Sequence, residues 1–208
     1  PWSVCVHAIR EALQNSLRLK AEPFYENEEA LLEDLQVMED ALKAVRGERL
    51  IERFLEPLYA SLKTFGFSAA RLDIRQNSQY LGQAMAQILE QAGIPGGADY
   101  EQWEEQKKVE FLNTELASAR PFTSAWTSLP EEAEEWLRTL KAVSGHMDRY
   151  GEAGLGCIIV SMTRSLSDLL LVYVLGREAG LTFMEEGKMV CRLPVTPLFE
   201  TMDDLENS

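Results

Sequence analysis

VCRLPVTPLFETMDD, residues Val190–Asp204, opens as an apolar, β-branched run of strand length. Pro194 and Pro197 exclude a helix here, because proline lacks the amide donor and clashes with the preceding turn. The run predicts a strand that closes on Leu198 and Phe199 and delivers one carboxylate, Glu200, just beyond them. Thr201, Asp203 and Asp204 then suit the first turn of a new helix, whose N-terminus favours acids. A buried strand ending on a single acid is one way to aim a metal ligand into a cleft. Strand-end acids also open surface helices, and spacing alone favours that plainer reading of Glu200.

Two other stretches share strand character. In RLDIRQNS, Arg71–Ser78, the alternation puts Leu72 and Ile74 on one face and Arg71, Asp73 and Arg75 on the other. Those charges form either a salt-bridge ladder on an exposed face or a set that meets partners inside. In the second case Arg75 grips an anion through its planar fork, and Arg71 and Asp73 are structural ion-pair members. Asn77 or Ser78 then caps a helix through Ala92, with Leu81, Met85, Ile88 and Leu89 inward. The near-continuous apolar run within Gly154–Met162 fits a parallel strand covered on both faces. Just past it, Ser161 and Thr163 are placed to line a cleft. Ser165-x-x-Asp168 is a capping-box-like start for a helix Leu166–Ala179, stopped by Gly180. Phe183–Val190, around Gly187, reads as a small turn excursion before the last strand. Strand–helix alternation of this kind predicts a parallel, barrel-type sheet in a helix-rich α/β chain.

The rest of the chain reads as helices. Residues 2–20 carry Val6, Ile9, Leu13 and Leu17 at helical spacing, with His7 as an exposed bystander. After a break at Pro23, Asn27 caps a second helix with the stripe Leu31, Leu35, Met38, Leu42 and Val45. It forms a hairpin, closed by Gly47, with a third helix Leu50–Phe65 bearing Ile51, Phe54, Leu55, Leu58 and Leu62. Gly93–Asp99 is a loop without the Lys-Ser/Thr ending of a phosphate cradle. Tyr100–Ala119 predicts a helix ended by Arg120-Pro121, and Ser128-x-x-Glu131 a capping box opening a helix to Tyr150. His146, near that helix's end, has no visible catalytic partner.

Three of these stretches together resemble the phosphoenolpyruvate carboxylase family. PVTPLFETMDDL matches its PLFET-x-DDL run, RLDIRQNS its LDIRQ-S motif, and VSMTRSLSDLLLVYVLGREAGL its ISMA-x-x-x-SD-L run, in the same order. Arg120–Phe122 partly echoes the family's RP-L run. The resemblance implies a partial (β/α)8 TIM-like barrel segment with many surrounding helices, over 66–208, behind an N-terminal helical region 1–65. It implies carboxylation of phosphoenolpyruvate by bicarbonate to oxaloacetate and phosphate, through carboxyphosphate and an enolate. It further implies Arg75 as a catalytic and substrate-binding residue, Leu198 as one wall of the pocket, and Glu200 as a ligand of Mg2+ or Mn2+. A cytoplasmic homotetramer is the implied parent.

The chain departs from the pattern at Asn77, where the family has Glu, at Leu81, where it has His, and at Thr163, where it has Ala. The family's T-x-HP-T run, FHGRGG loop and SDS-x-KD-like run, which holds the second metal-binding acid, do not occur here. Together with the start at Pro1, this reads as an internal portion of a longer enzyme, inactive alone. The alternative is a non-catalytic binding or regulatory relative.

Bulk properties agree with such a chain. At 208 residues, 46% hydrophobic and 26% charged, it has the composition of a soluble globular protein. A net charge of −14 argues against a nucleic-acid surface and requires that any anion be met by locally placed arginines. No apolar stretch spans a bilayer and no signal pattern is visible. Cys5, Cys157 and Cys191 lack C-x-x-C spacing and fit reduced cytosolic thiols. With His7 and His146 as the two histidines, a multi-His metal site is excluded.

Overall fold

The computed structural model describes residues 2–18, 23–124, 126–200, 202 and 205. It divides into two compact units, Pro1–Arg71 and Leu72–Ser208. The helix start predicted at Thr201, Asp203 and Asp204 lies outside the described residues.

The first unit is helical: α1 (Trp2–Arg18), α2 (Glu28–Ala44), a short α3 (Glu48–Leu50), a π turn (Ile51–Leu55) and α4 (Glu56–Phe65). Asn27 caps α2, its side chain accepting from the Ala30 N–H at 3.1 Å. Leu31, Leu35 and Leu42 are buried as the stripe predicts, while Val45, past the helix end, is exposed. Two stripes are turned from expectation. In α1 the packed face is Ile9, Ala12 and Leu13, and Val6 and Leu17 are in solvent. Small side chains explain this: Ser16 Oγ bonds the Ala12 carbonyl and both backbone groups of Tyr25, drawing that face onto the segment after the break. In the third helix the wide π turn inserts one residue just before Pro57, whose ring has no amide to donate and would crowd the carbonyl four residues back. The face is rotated, so Ile51, Leu55 and Leu62 are buried and Phe54 and Leu58 exposed. Between α2 and α3 the left-handed residue is Arg46, φ 58°, not Gly47. Gly47 N–H reaches the Leu42 carbonyl at 2.8 Å and Arg46 N–H the Lys43 carbonyl at 3.1 Å, a Schellman closure.

The second unit runs β1 (Leu72–Asn77), α5 (Ser78–Gln91), a 3-10 turn (Gly97–Gln102), α6 (Glu105–Leu116), α7 (Glu131–Tyr150), β2 (Leu155–Ser161), α8 (Leu166–Arg177), β3 (Thr182–Glu185), β4 (Lys188–Cys191) and β5 (Val195–Leu198). The order β1-β2-β5 forms a parallel three-stranded sheet. The fold is thus a helix-rich α/β arrangement, with α5, α6, α7 and α8 supplying most of its core. In α5, Asn77 caps through the Gln79 N–H, and Leu81, Met85, Ile88 and Leu89 are fully buried, as the spacing predicts. Each such side chain contributes roughly 1.5–3 kcal/mol by leaving water.

Four boundaries differ from the sequence reading. The helix expected from Tyr100 is a 3-10 turn followed by extended Trp103, whose indole donates to the Gly96 carbonyl at 3.0 Å. α6 ends at Leu116, before Arg120-Pro121. The box at Ser128 does not form: Pro130 is the N-cap and Glu131 the first residue of α7. Residues Thr182–Cys191 are a full antiparallel hairpin rather than an excursion. Glu186 and Gly187, φ 49° and 77°, form its two-residue turn, whose positive φ values match the twist of paired strands. Val190–Cys191 therefore belong to β4, and the sheet strand begins at Val195. Pro197 costs no ladder bond: Ile158 N–H donates to the Pro194 carbonyl at 2.8 Å, so by alternation Val195 and Pro197 turn their backbone groups away from β2.

Candidate functional site

The two faces of the parallel sheet have different jobs. Ile74 pairs with Ile158 and Ile158 with Val195, and this row faces the helices, with Ile158 buried in the core. Paired residues share a face and neighbours along a strand alternate. The next row, Arg75–Ile159–Thr196, and the terminal row, Asn77–Ser161–Leu198, therefore lie on the opposite face. Strand order thus brings Arg75 and Leu198 to one side. Glu200, two residues past β5, returns over that side and accepts from Arg75 Nη2. Arg75 and Glu200 are 125 residues apart in the chain. Both side chains are partly exposed, at 53% and 37%, so the pair contributes at most about 1 kcal/mol to stability. Its interest is positional: a guanidinium fork and a carboxylate meet at the C-terminal rim of parallel strands.

The rim is cross-braced. Met162, just past β2, holds a left-handed backbone, φ 55°, unusual for a residue with a side chain. Ser78 Oγ donates to its carbonyl at 2.7 Å, and Asn77 Nδ2 to its thioether at 3.1 Å. Ser161 Oγ donates to the Gln76 carbonyl at 3.3 Å and Thr163 Oγ1 to the Val160 carbonyl at 2.8 Å. Thr163 is buried and occupied with this bond. Of the departures noted above, Asn77 is thus a helix cap and Leu81 a core residue.

Beside the rim, α8 starts on two carboxylates. Asp168 accepts from the N–H groups of Arg164, at 2.9 Å, and Ser165, at 3.3 Å, as half of the predicted box. Burial pushes its carboxyl above the usual range against those bonds, with Glu105 adding to the rise. Glu105 in turn accepts from the Ser167 N–H and hydroxyl at 3.0 and 2.7 Å.

Sequence reasoning missed a buried charge cluster at the other end of α8. Glu178, its side chain fully buried, accepts from the N–H groups of Phe122 and Thr123 and from the Thr123 hydroxyl, at 2.7–2.9 Å. Arg177 lies 3.6 Å from Glu178, donates to the carbonyls of Glu115 and Ser118, and stacks over the Phe122 ring. The signal available was the adjacent Arg177-Glu178 pair closing a helix that is apolar after Asp168. The cluster ties the Arg120–Phe122 run to the core. Asp73, expected as an ion-pair member, accepts from the Cys157 N–H at 3.0 Å. His7 and His146 are exposed on α1 and α7, the His146 ring tilted at 41° against Tyr150. Among the described residues no cluster of three His, Cys, Asp or Glu side chains is set to hold a metal ion, and no helix is long and apolar enough to cross a membrane.

Comparison with known proteins converges on one family. The family model described as "Phosphoenolpyruvate carboxylase" matches residues 5–208. A phosphoenolpyruvate carboxylase of Mycobacterium avium is 34% identical over 185 residues, covering 89% of this chain and 20% of that protein. One from Synechococcus sp. is 37% identical over 184 residues, 88% of this chain and 17% of its own. One from Aliivibrio salmonicida, 33% identical, aligns with 100% of this chain and 23% of its own. The chain spans about a fifth of the length of the curated relatives it matches.

Proposed function

Because the chain belongs to the phosphoenolpyruvate carboxylase family, we propose that it is a portion of an enzyme that joins phosphoenolpyruvate and bicarbonate to give oxaloacetate and phosphate. The parallel β1-β2-β5 sheet is then one arc of a (β/α)8-type barrel, and the Arg75–Glu200 face its interior. The observation that carries the reading is the meeting of Arg75 and Glu200 above the strand ends, since these are the residues of the LDIRQ and PLFET runs.

In this reading Arg75 binds and orients an oxyanion of phosphoenolpyruvate through a charge-assisted fork. Leu198 forms part of an apolar wall that keeps water from the reacting carbon, because a solvated enolate would take a proton and be lost as pyruvate. A divalent cation, Mg2+ or Mn2+, supplies Lewis acidity toward the enolate oxygen when bound. This chain's donor set does not complete a site for it: Glu200 is one carboxylate, already paired with Arg75, and no cluster of three ligating side chains surrounds it among the described residues. Glu200 would be one contributor, the other acid coming from elsewhere in a longer chain. The 208 residues alone give no turnover. The longer enzyme is a cytoplasmic homotetramer.

The test is a comparison of Arg75→Ala with Arg71→Ala in the full-length protein. Loss of a charge-assisted anion contact costs on the order of 1.5–3 kcal/mol, so Arg75→Ala should lose roughly 10- to 100-fold in kcat/KM while Arg71→Ala keeps most of it. Equal losses with equal instability would reduce Arg75 to a structural role. Metal-dependent oxaloacetate formation by the 208-residue chain would overturn the reading of it as an incomplete portion.

A second reading has its own observation. Leu81 is fully buried and Asn77 is committed to a helix cap, so the positions where the family carries His and Glu serve packing here. That favours a non-catalytic binding or regulatory relative. Such a protein binds phosphoenolpyruvate without turnover even at full length.

A further inference from the structure

The pairing of β1 with β2 is irregular next to Arg75. Leu72 pairs with Leu155 but Ile74 with Ile158, so β2 carries one extra residue. Asp73 fills the irregularity. Its Oδ1 accepts from the Cys157 N–H at 3.0 Å and lies 3.5 Å from the Cys157 thiol. A Cβ added to Gly156 would stand 2.0 Å from that same oxygen. The carboxylate and the missing side chain are therefore one fitted piece, and Asp73 is held by a backbone amide rather than by a cation.

We propose that Asp73, seated against Gly156, is a positioning residue for Arg75. Side-chain direction in a sheet has period two, so a one-residue slip of β2 would set Ile158, a core residue, beside Arg75. One of the two would then occupy the wrong face. The Asp73–Cys157 bond anchors β1 two residues before Arg75 and fixes the register in which Arg75 sits opposite Ile159 and reaches Glu200. Asparagine at position 73 keeps an acceptor oxygen; alanine does not. The proposal rests on the reading of Arg75 as an anion-binding group.

The experiment compares Asp73→Asn, Asp73→Ala and Gly156→Ala in two settings. In the 208-residue chain, cross-strand NOEs report the pairing of Arg75 with Ile159. Asp73→Ala and Gly156→Ala should weaken or shift these contacts, and Asp73→Asn should keep them. In the full-length enzyme, Asp73→Ala should raise the KM for phosphoenolpyruvate about tenfold with kcat nearly kept, and Asp73→Asn should stay within about twofold of the parent. Unchanged pairing and KM in Asp73→Ala would overturn the proposal, as would equal damage from asparagine and alanine. A full-length protein that never turns over would sink the carboxylase reading, and the NOE comparison alone would then decide the register role.

Discussion

The two units use apolar residues in different ways. Pro1–Arg71 packs helix on helix around Leu31, Leu35, Leu42, Ile51, Leu55 and Leu62, and leaves Phe54, Leu58 and Phe65 exposed. Leu72–Ser208 packs helices onto a parallel sheet, buries Leu81, Met85, Ile88 and Leu89 completely, and draws Arg177 and Glu178 into its interior. An amphipathic helix can turn about its own axis and exchange one stripe for another at modest cost. A strand cannot, because each step of register swaps its faces. The sheet-based unit accordingly has the fixed arrangement on which a site can be built.

The sharpest way to break this contrast is Glu178→Ala. Arg177 would keep the Glu115 carboxylate at 3.4 Å, but the Phe122 and Thr123 amides and the Thr123 hydroxyl would lose their acceptor, so the second unit should lose about 3–5 kcal/mol in urea denaturation. A loss below about 1 kcal/mol would mean that the cluster is hydrated. Next, Leu81→Ala should cost roughly 2–5 kcal/mol, against no more than about 0.5 kcal/mol for Leu58→Ala in the helical unit. Similar costs would show that the Leu58 face is covered in solution.

Arg46→Gly sharpens the comparison from the helical side. It removes the strain of a left-handed arginine and should stabilise the first unit by about 0.5–1 kcal/mol, offset in part by the greater freedom of an unfolded glycine. The smallest expected effect concerns pH. Burial raises the Asp168 carboxyl, so the folded chain holds that proton to a higher pH than the unfolded chain. Stability should fall as pH rises from the unfolded carboxylate range through the raised folded one, and the deficit should persist to neutrality. Melting curves of Asp168→Asn should lose this slope, and a slope unchanged in the variant would assign it to another acid.

Legibility in the sequence followed the same divide. α5 could be read almost to the residue, because Asn77 and four inward apolar positions say the same thing. β2 was legible as a parallel strand from its unbroken apolar run. The α1 and α4 faces were not, because Ser16 and a π turn before Pro57 decide them and neither leaves a periodic signal. Arg75 and Glu200 were each visible as candidates, but periodicity carries no information about a contact 125 residues apart; the family resemblance supplied the pairing of motifs. The Gly156 irregularity was hidden because a glycine at the head of an apolar run looks like an ordinary strand entrance. Glu178 lay unremarked within the helix predicted to Ala179, since nothing local reveals that a loop 55 residues away donates to it.

Pro197 has a consequence beyond its place in β5. Among the described residues no strand pairs with the outer side of β5, where the backbone turns outward at Val195 and Pro197. Val195 brings an amide there and Pro197 brings none. A foreign extended chain that docked along that side would find carbonyls to bond but lack every second donor. The strand that leads to the carboxylate is therefore a poor template for cross-β stacking.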